Sequence, residues 1–68
     1  MTDRQKQNRD KMITYVKSVY PEMVMFAYFA EANEMSFYQD AKAAETDNMN
    51  HFYCCYVSPN GDYIISNE

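Results

Sequence analysis

The feature that most narrows the fold is a turn: Ser58-Pro59-Asn60-Gly61 holds the only glycine of the chain and separates two strand-like runs, 51–57 and 62–66. Proline presets the second position of a type I turn, and glycine supplies the left-handed residue that a short hairpin loop requires. A hairpin closed there sets Ser58 opposite Asp62. It therefore pairs Val57 with Tyr63, Tyr56 with Ile64, Cys55 with Ile65 and Cys54 with Ser66. Successive strand residues point to opposite sides, so Tyr53, Cys55, Val57, Tyr63 and Ile65 share one face, and Phe52, Cys54, Tyr56 and Ile64 the other. Both faces are apolar. The hairpin needs cover on two sides, from helices or from another molecule.

The remaining elements follow from capping and periodicity. Thr2-Asp3-Arg4-Gln5 has the form of a capping box and predicts a helix over about 3–20. Its apolar stripe is Met12, Val16, Val19 and Tyr20, flanked by Ile13 and Tyr15, and Pro21 ends it. Its first two turns have little to bury. Residues 23–30 form an unbroken apolar run, whose length and polar break favour a buried strand; a second helix opened by Pro21 is the alternative. A second box, Ser36-Phe37-Tyr38-Gln39, predicts a fresh helix at Ser36 with Phe37, Ala41 and Ala44 on a narrow face, followed by a loop over 47–50. The expected order is helix-strand-helix-strand-strand, a small single α+β domain over 1–68 with a C-terminal β-hairpin. Two or three helices plus the hairpin is the alternative architecture.

Size bounds what such a domain can do. A chain of 68 residues buries only about 60% of the surface its unfolded form exposes, and chains of this size often depend on a partner, a staple or self-association. Leu is absent and only 11 residues are Ile, Val or Phe, so the six Met and seven Tyr must fill the core. No span has the 18 or so apolar residues of a membrane helix, and the charged segment 2–11 lacks the apolar centre of a secretory signal. Cys54 and Cys55 are adjacent in a strand, where a mutual disulfide is badly strained. Two free thiols suit a reducing cytoplasm, and no membrane is expected as a partner.

Catalytic signatures are missing. His51 and Cys55 share a strand face but lie about 13 Å apart, and Cys54 points the other way, so these three make neither a metal site nor a nucleophile with its base. One glycine cannot form a phosphate loop. Carboxylate pairs such as Glu31 with Glu34 are explained as well by a solvated helix end or loop as by acid–base work. The expectation is a protein that is no enzyme and uses no cofactor or metal.

Charge is divided unevenly. Arg4, Lys6, Arg9, Lys11 and Lys17 against Asp3 and Asp10 give residues 1–20 a net +3. Lys42 against Glu22, Glu31, Glu34, Asp40, Glu45, Asp47, Asp62 and Glu68 gives residues 21–68 a net −7. Solvated faces account for much of this pattern. As a nucleic-acid mimic the acidic body is sparse beside a duplex with one charge per roughly 1.7 Å. A basic helix that stacks Tyr15 or Tyr20 on bases has its cations on both flanks of the apolar stripe and an overall pI near 4.7 against it. Tyr, Phe and Met are residues of interface cores, and the run 23–30 is rich in them.

These observations favour a non-catalytic protein-binding module. The expected surface is acidic and Tyr/Met-rich, with Glu31, Glu34, Asp40, Tyr38 and Tyr56 as contact residues, and it docks on a larger protein as an inhibitor or modulator. A nucleic-acid-binding protein is one such target. A second copy of the chain is the alternative partner within binding functions, and direct nucleic-acid binding through the basic helix the alternative outside them. In size, acidity and lack of catalytic motifs the chain resembles, in type, the small host-takeover and anti-defence proteins of bacteriophages, including anti-CRISPR proteins.

Overall fold

The computed structural model describes residues 1–67; Glu68, counted above in the acidic body, lies outside the described residues. Helix α1 (Asp3–Val19) opens with the expected box, the Thr2 hydroxyl accepting from the Gln5 amide at 3.1 Å and the Thr2 amide donating to Gln5 Oε1 at 2.9 Å. It ends at Val19, with Tyr20 as its cap and Pro21 next. Met12 and Val16 are fully buried, whereas Val19 is turned outward.

Four strands follow: β1 (Val24–Phe29), β2 (Glu34–Tyr38), β3 (Phe52–Val57) and β4 (Tyr63–Asn67). They pair antiparallel in the order β1-β2-β3-β4, a meander in which each strand bonds its sequence neighbour. The apolar run 23–30 is the strand β1. The hairpin register is the one that the turn dictates: Val57 with Tyr63, Tyr56 with Ile64, Cys55 with Ile65, Cys54 with Ser66. Gly61 has φ +88°, and its amide donates to the Ser58 carbonyl at 2.9 Å.

One element differs from expectation. Residues 34–38 are a strand instead of a helix opening at Ser36, so the order is helix-strand-strand-helix-strand-strand. Helix α2 (Ala41–Glu45) begins later, with the Asp40 carboxylate accepting from the Ala43 amide at 2.8 Å. The reason is energetic. A helix cap is worth about 1 kcal/mol, whereas Met35 and Phe37 are both fully buried under α1 and each contributes roughly 1.5–3 kcal/mol through that burial. Only a strand places these alternate residues on one face.

The main core lies between α1 and one sheet face, and consists of Met12, Val16, Met35, Phe37 and Cys55. Tyrosine pairs wrap it: Tyr15 stacks on Tyr63 and Tyr20 on Tyr53, each with ring centroids 5.0 Å apart. On the opposite face a smaller cluster of Tyr38, Ala43 and Phe52 sits beneath α2 with Val24 and Ala44. At five residues α2 covers one end of that face and leaves the rest without a lid.

The uncovered sheet face as candidate functional site

Strand pairing sorts this outer face into rows that run across the sheet. Phe29 pairs with Glu34, and Tyr56 with Ile64; the β2–β3 register that pairs Met35 with Cys55 puts Glu34 beside Tyr56. The first row is therefore Phe29, Glu34, Tyr56 and Ile64. The second contains only small side chains, Ala27, Ser36, Cys54 and Ser66. The third is Val24, Tyr38 and Phe52, and this is the row that α2 covers.

A β-bulge fixes which aromatic residues face outward. The β1–β2 register shifts between Met25 and Ala27, so Phe26 is an extra residue. Its ring meets Phe52 and Tyr38 edge-on at centroid distances of 5.6 and 6.2 Å. Even so, Phe26 remains 64% exposed and Phe29 50% exposed, with Ile64 at 37%. Large apolar residues grouped on one face of so small a domain mark a contact surface.

The five contact residues expected from sequence divide between the two ends of this face. Glu34 and Tyr56 stand in the first row, and Glu31 is exposed in the turn between β1 and β2. Tyr38 is not presented for contact: it is only 7% exposed, and its hydroxyl donates to the Asp47 carboxylate. That hydrogen bond, with burial behind it, raises the phenol above its usual pKa. Asp40 is occupied as the α2 cap. Together with Val19, Tyr20, Pro21, Glu22 and Gln39, Asp40 lines an acidic notch of about 460 Å³ away from the first row. Phe26, Phe29 and Ile64, which complete the surface, were not among the expected contact residues. The signal for Ile64 was its place opposite Tyr56; Phe26 follows Val24 by ordinary alternation, whereas the side taken by Phe29 needed the bulge.

The other chemistry-bearing groups are engaged. His51 Nδ1 lies 3.0 Å from Gln39 Oε1, which also accepts from the Tyr53 hydroxyl at 3.3 Å. Cys55 is fully buried, and burial pushes its thiol up to about 11, so it carries no thiolate near neutrality. Among the described residues no three His, Cys, Asp or Glu side chains come together as metal ligands. On α1, Arg4 with Lys11 and Lys6 with Lys17 fall on two flanks roughly 140° apart by helical geometry, and Arg9 pairs with Asp10 at 3.3 Å. Tyr15 and Tyr20, the candidate base-stacking residues, are instead stacked on Tyr63 and Tyr53. No helix among the described residues is long and apolar enough to cross a membrane.

No protein-family model matches the chain, and no curated protein or solved structure is detectably similar to it.

Proposed function

We propose that the protein is a non-catalytic binding module that docks its outer sheet face on a larger protein in the cytoplasm and acts by occluding the site it covers. The observation that carries this reading is the first row, where exposed Phe29 and Ile64 flank Glu34 and Tyr56 on a face that α2 leaves open. Apolar and aromatic area supplies the contact energy, and a polar rim sets orientation. Glu31 and Glu34 give that rim a negative sign, in a chain with net charge −4. The fitting partner surface is an apolar patch edged by Lys or Arg, such as the margin of a nucleic-acid-binding groove. Blocking such a margin is inhibitor behaviour, in keeping with the phage anti-defence proteins that the chain resembles in type.

The test is capture of the partner from a nuclease-treated lysate by wild type and by two variants, followed by binding measurements on the identified protein. Phe29→Lys/Ile64→Lys is expected to abolish the interaction. Glu31→Lys/Glu34→Lys is expected to weaken it and to reduce its salt dependence. Both variants should remain folded: the exposed Glu31 and Glu34 changes cost about 0.5 kcal/mol or less each, and Phe29→Lys/Ile64→Lys, at two half-exposed sites, about 2 kcal/mol in all. Undiminished binding by the folded Phe29→Lys/Ile64→Lys variant would remove the outer face from the interaction, and loss of the captured material on nuclease treatment would move it to α1.

A further inference from the structure

The two edges of the sheet are built differently. Edge strand β1 carries the bulge at Phe26, with Pro21 and Glu22 before it and Glu31 after it. Bulges, prolines and charges are the devices that stop an edge from recruiting another strand. Edge strand β4 has neither bulge nor proline: Tyr63-Ile64-Ile65-Ser66-Asn67 pairs with β3 in unbroken register and contains no charge, the acidic Asp62 and Glu68 flanking it in the sequence. No described element lies beyond it in the sheet.

The ladder identifies which backbone groups of β4 remain open. The Ser58 amide donates to the Asp62 carbonyl at 2.8 Å, which makes 58 and 62 a hydrogen-bonded pair. Antiparallel ladders alternate bonded and non-bonded pairs, so Ile64 and Ser66 bond to β3, while Tyr63, Ile65 and Asn67 turn their N–H and C=O groups outward. The Gln39 amide, which donates to the His51 carbonyl at 2.9 Å, fits the same phase on the far side of β3. The Asn67 side chain donates to the Asn50 and Phe52 carbonyls, each at 3.2 Å, and so holds the end of β4 against β3. The open groups are thus presented on a fixed strand.

The geometry points to a second copy of this chain as the occupant of that edge, joined through antiparallel β4–β4 pairing about a twofold axis at Ile65 to form one eight-stranded sheet. In this register Ile65 meets its own counterpart, Ile64 meets Ser66 of the second copy, and Tyr63 meets Asn67. All three outward residues on each strand are then bonded. The paired strands themselves carry no charge, and because the acidic Asp62 and Glu68 flank them in the sequence, association should strengthen with added salt; the contact is isologous, so it closes on itself as a dimer. A notch of about 390 Å³ between α1 and β4, lined by Asp10, Lys11, Thr14 and Tyr63, opens beside Tyr63. The inference stands on the backbone edge of β4 and does not rest on the outer-face docking reading, with which it shares the side chain of Ile64 alone.

Sedimentation velocity over about 10 µM to about 1 mM, with residue-resolved amide exchange at both ends of that range, tests it. The expected result is a mass that rises from 8.1 kDa toward twice that value. The amides of Tyr63, Ile65 and Asn67 should slow severalfold with concentration while those of Ile64 and Ser66 do not change. Ser66→Lys, an exposed substitution that sets a cation opposite the apolar Ile64 of the second copy, should weaken dimerisation about tenfold or more while the single copy stays folded. A single 8.1 kDa species at every concentration would overturn the inference. So would a dimer whose Tyr63, Ile65 and Asn67 amides exchange independently of concentration, or a folded Ser66→Lys protein that dimerises like wild type.

Discussion

Truncation of Phe29 and of Phe37 to alanine should have very different consequences, because the two rings divide between surface and core. Phe37 is 0% exposed, stacks on Tyr53 and meets Tyr20 at a tilt, each ring centroid 5.7 Å away. Removing a ring so enclosed costs about 3–5 kcal/mol. A domain of this length has a total stability of about 3–10 kcal/mol at 0.05–0.15 kcal/mol per residue, so Phe37→Ala should be largely unfolded or close to it. Phe29 is 50% exposed. Since complete burial of such a side chain is worth up to about 3 kcal/mol, its loss should cost about 1 kcal/mol and leave no closed cavity. Ile64→Ala on the far side of the same row should cost a similar amount. Two intervening strands separate the sites by roughly 14 Å, so the double variant should lose about 2 kcal/mol additively. Urea titration followed by circular dichroism measures all three variants on one scale. A loss of about 4 kcal/mol or more in Phe29→Ala/Ile64→Ala, or of less than about 1 kcal/mol in Phe37→Ala, would refute the division into core face and docking face.

Three further outcomes follow from local geometry. Gly61→Ala should cost about 1 kcal/mol purely through the left-handed backbone, since φ is +88° and no atom lies within 4 Å of the added methyl; a melting temperature equal to wild type would contradict the turn assignment. Asp40→Ala should lose about 1 kcal/mol with the cap on Ala43, and fraying of α2 should show as faster exchange at the Ala43 and Ala44 amides. Stability should decline in alkali. Burial raises the Cys55 thiol from 9.0 to about 11, so the unfolded chain ionises first and its contribution of at most about 2–3 kcal/mol, complete below about pH 9, is lost as pH rises toward about 11. Tyr20 and Tyr28, both raised chiefly by burial, and Tyr38, raised chiefly by its bond to Asp47, act in the same direction. Urea titrations between about pH 8 and about pH 10 should therefore show a smaller decline for Cys55→Ala than for wild type.

The parts of the fold that were legible from sequence are those fixed by short-range chemistry. The Ser58-Pro59-Asn60-Gly61 turn determines the β3–β4 register, because a two-residue side-chain period allows no slip once the loop is set. The Thr2–Gln5 box likewise locates the start of α1. Strand β2 was hidden because Ser36-Phe37-Tyr38-Gln39 also satisfies a helix-start pattern, and only the burial of Met35 and Phe37 beneath α1 decides against it. Without β2 the rows cannot be assembled. Glu34 and Tyr56 could be named one by one, but their adjacency, and the burial of Tyr38 beneath α2, are properties of strand order and of where a five-residue helix comes to rest.

The bulge in β1 separates two quantities that a regular strand ties together. In perfect alternation, one added residue transfers every later side chain to the opposite face, so length and sidedness change as one. Here Val24 and Met25 precede the extra residue and Ala27, Tyr28 and Phe29 follow it, yet Tyr28 still lies with the α1 core and Phe29 still points outward. Excision of Phe26 would join Met25 to Ala27 in unbroken alternation with every other residue on its present side. Phe26 is thus a detachable unit of surface, which can be gained, lost or exchanged without rewriting the interior.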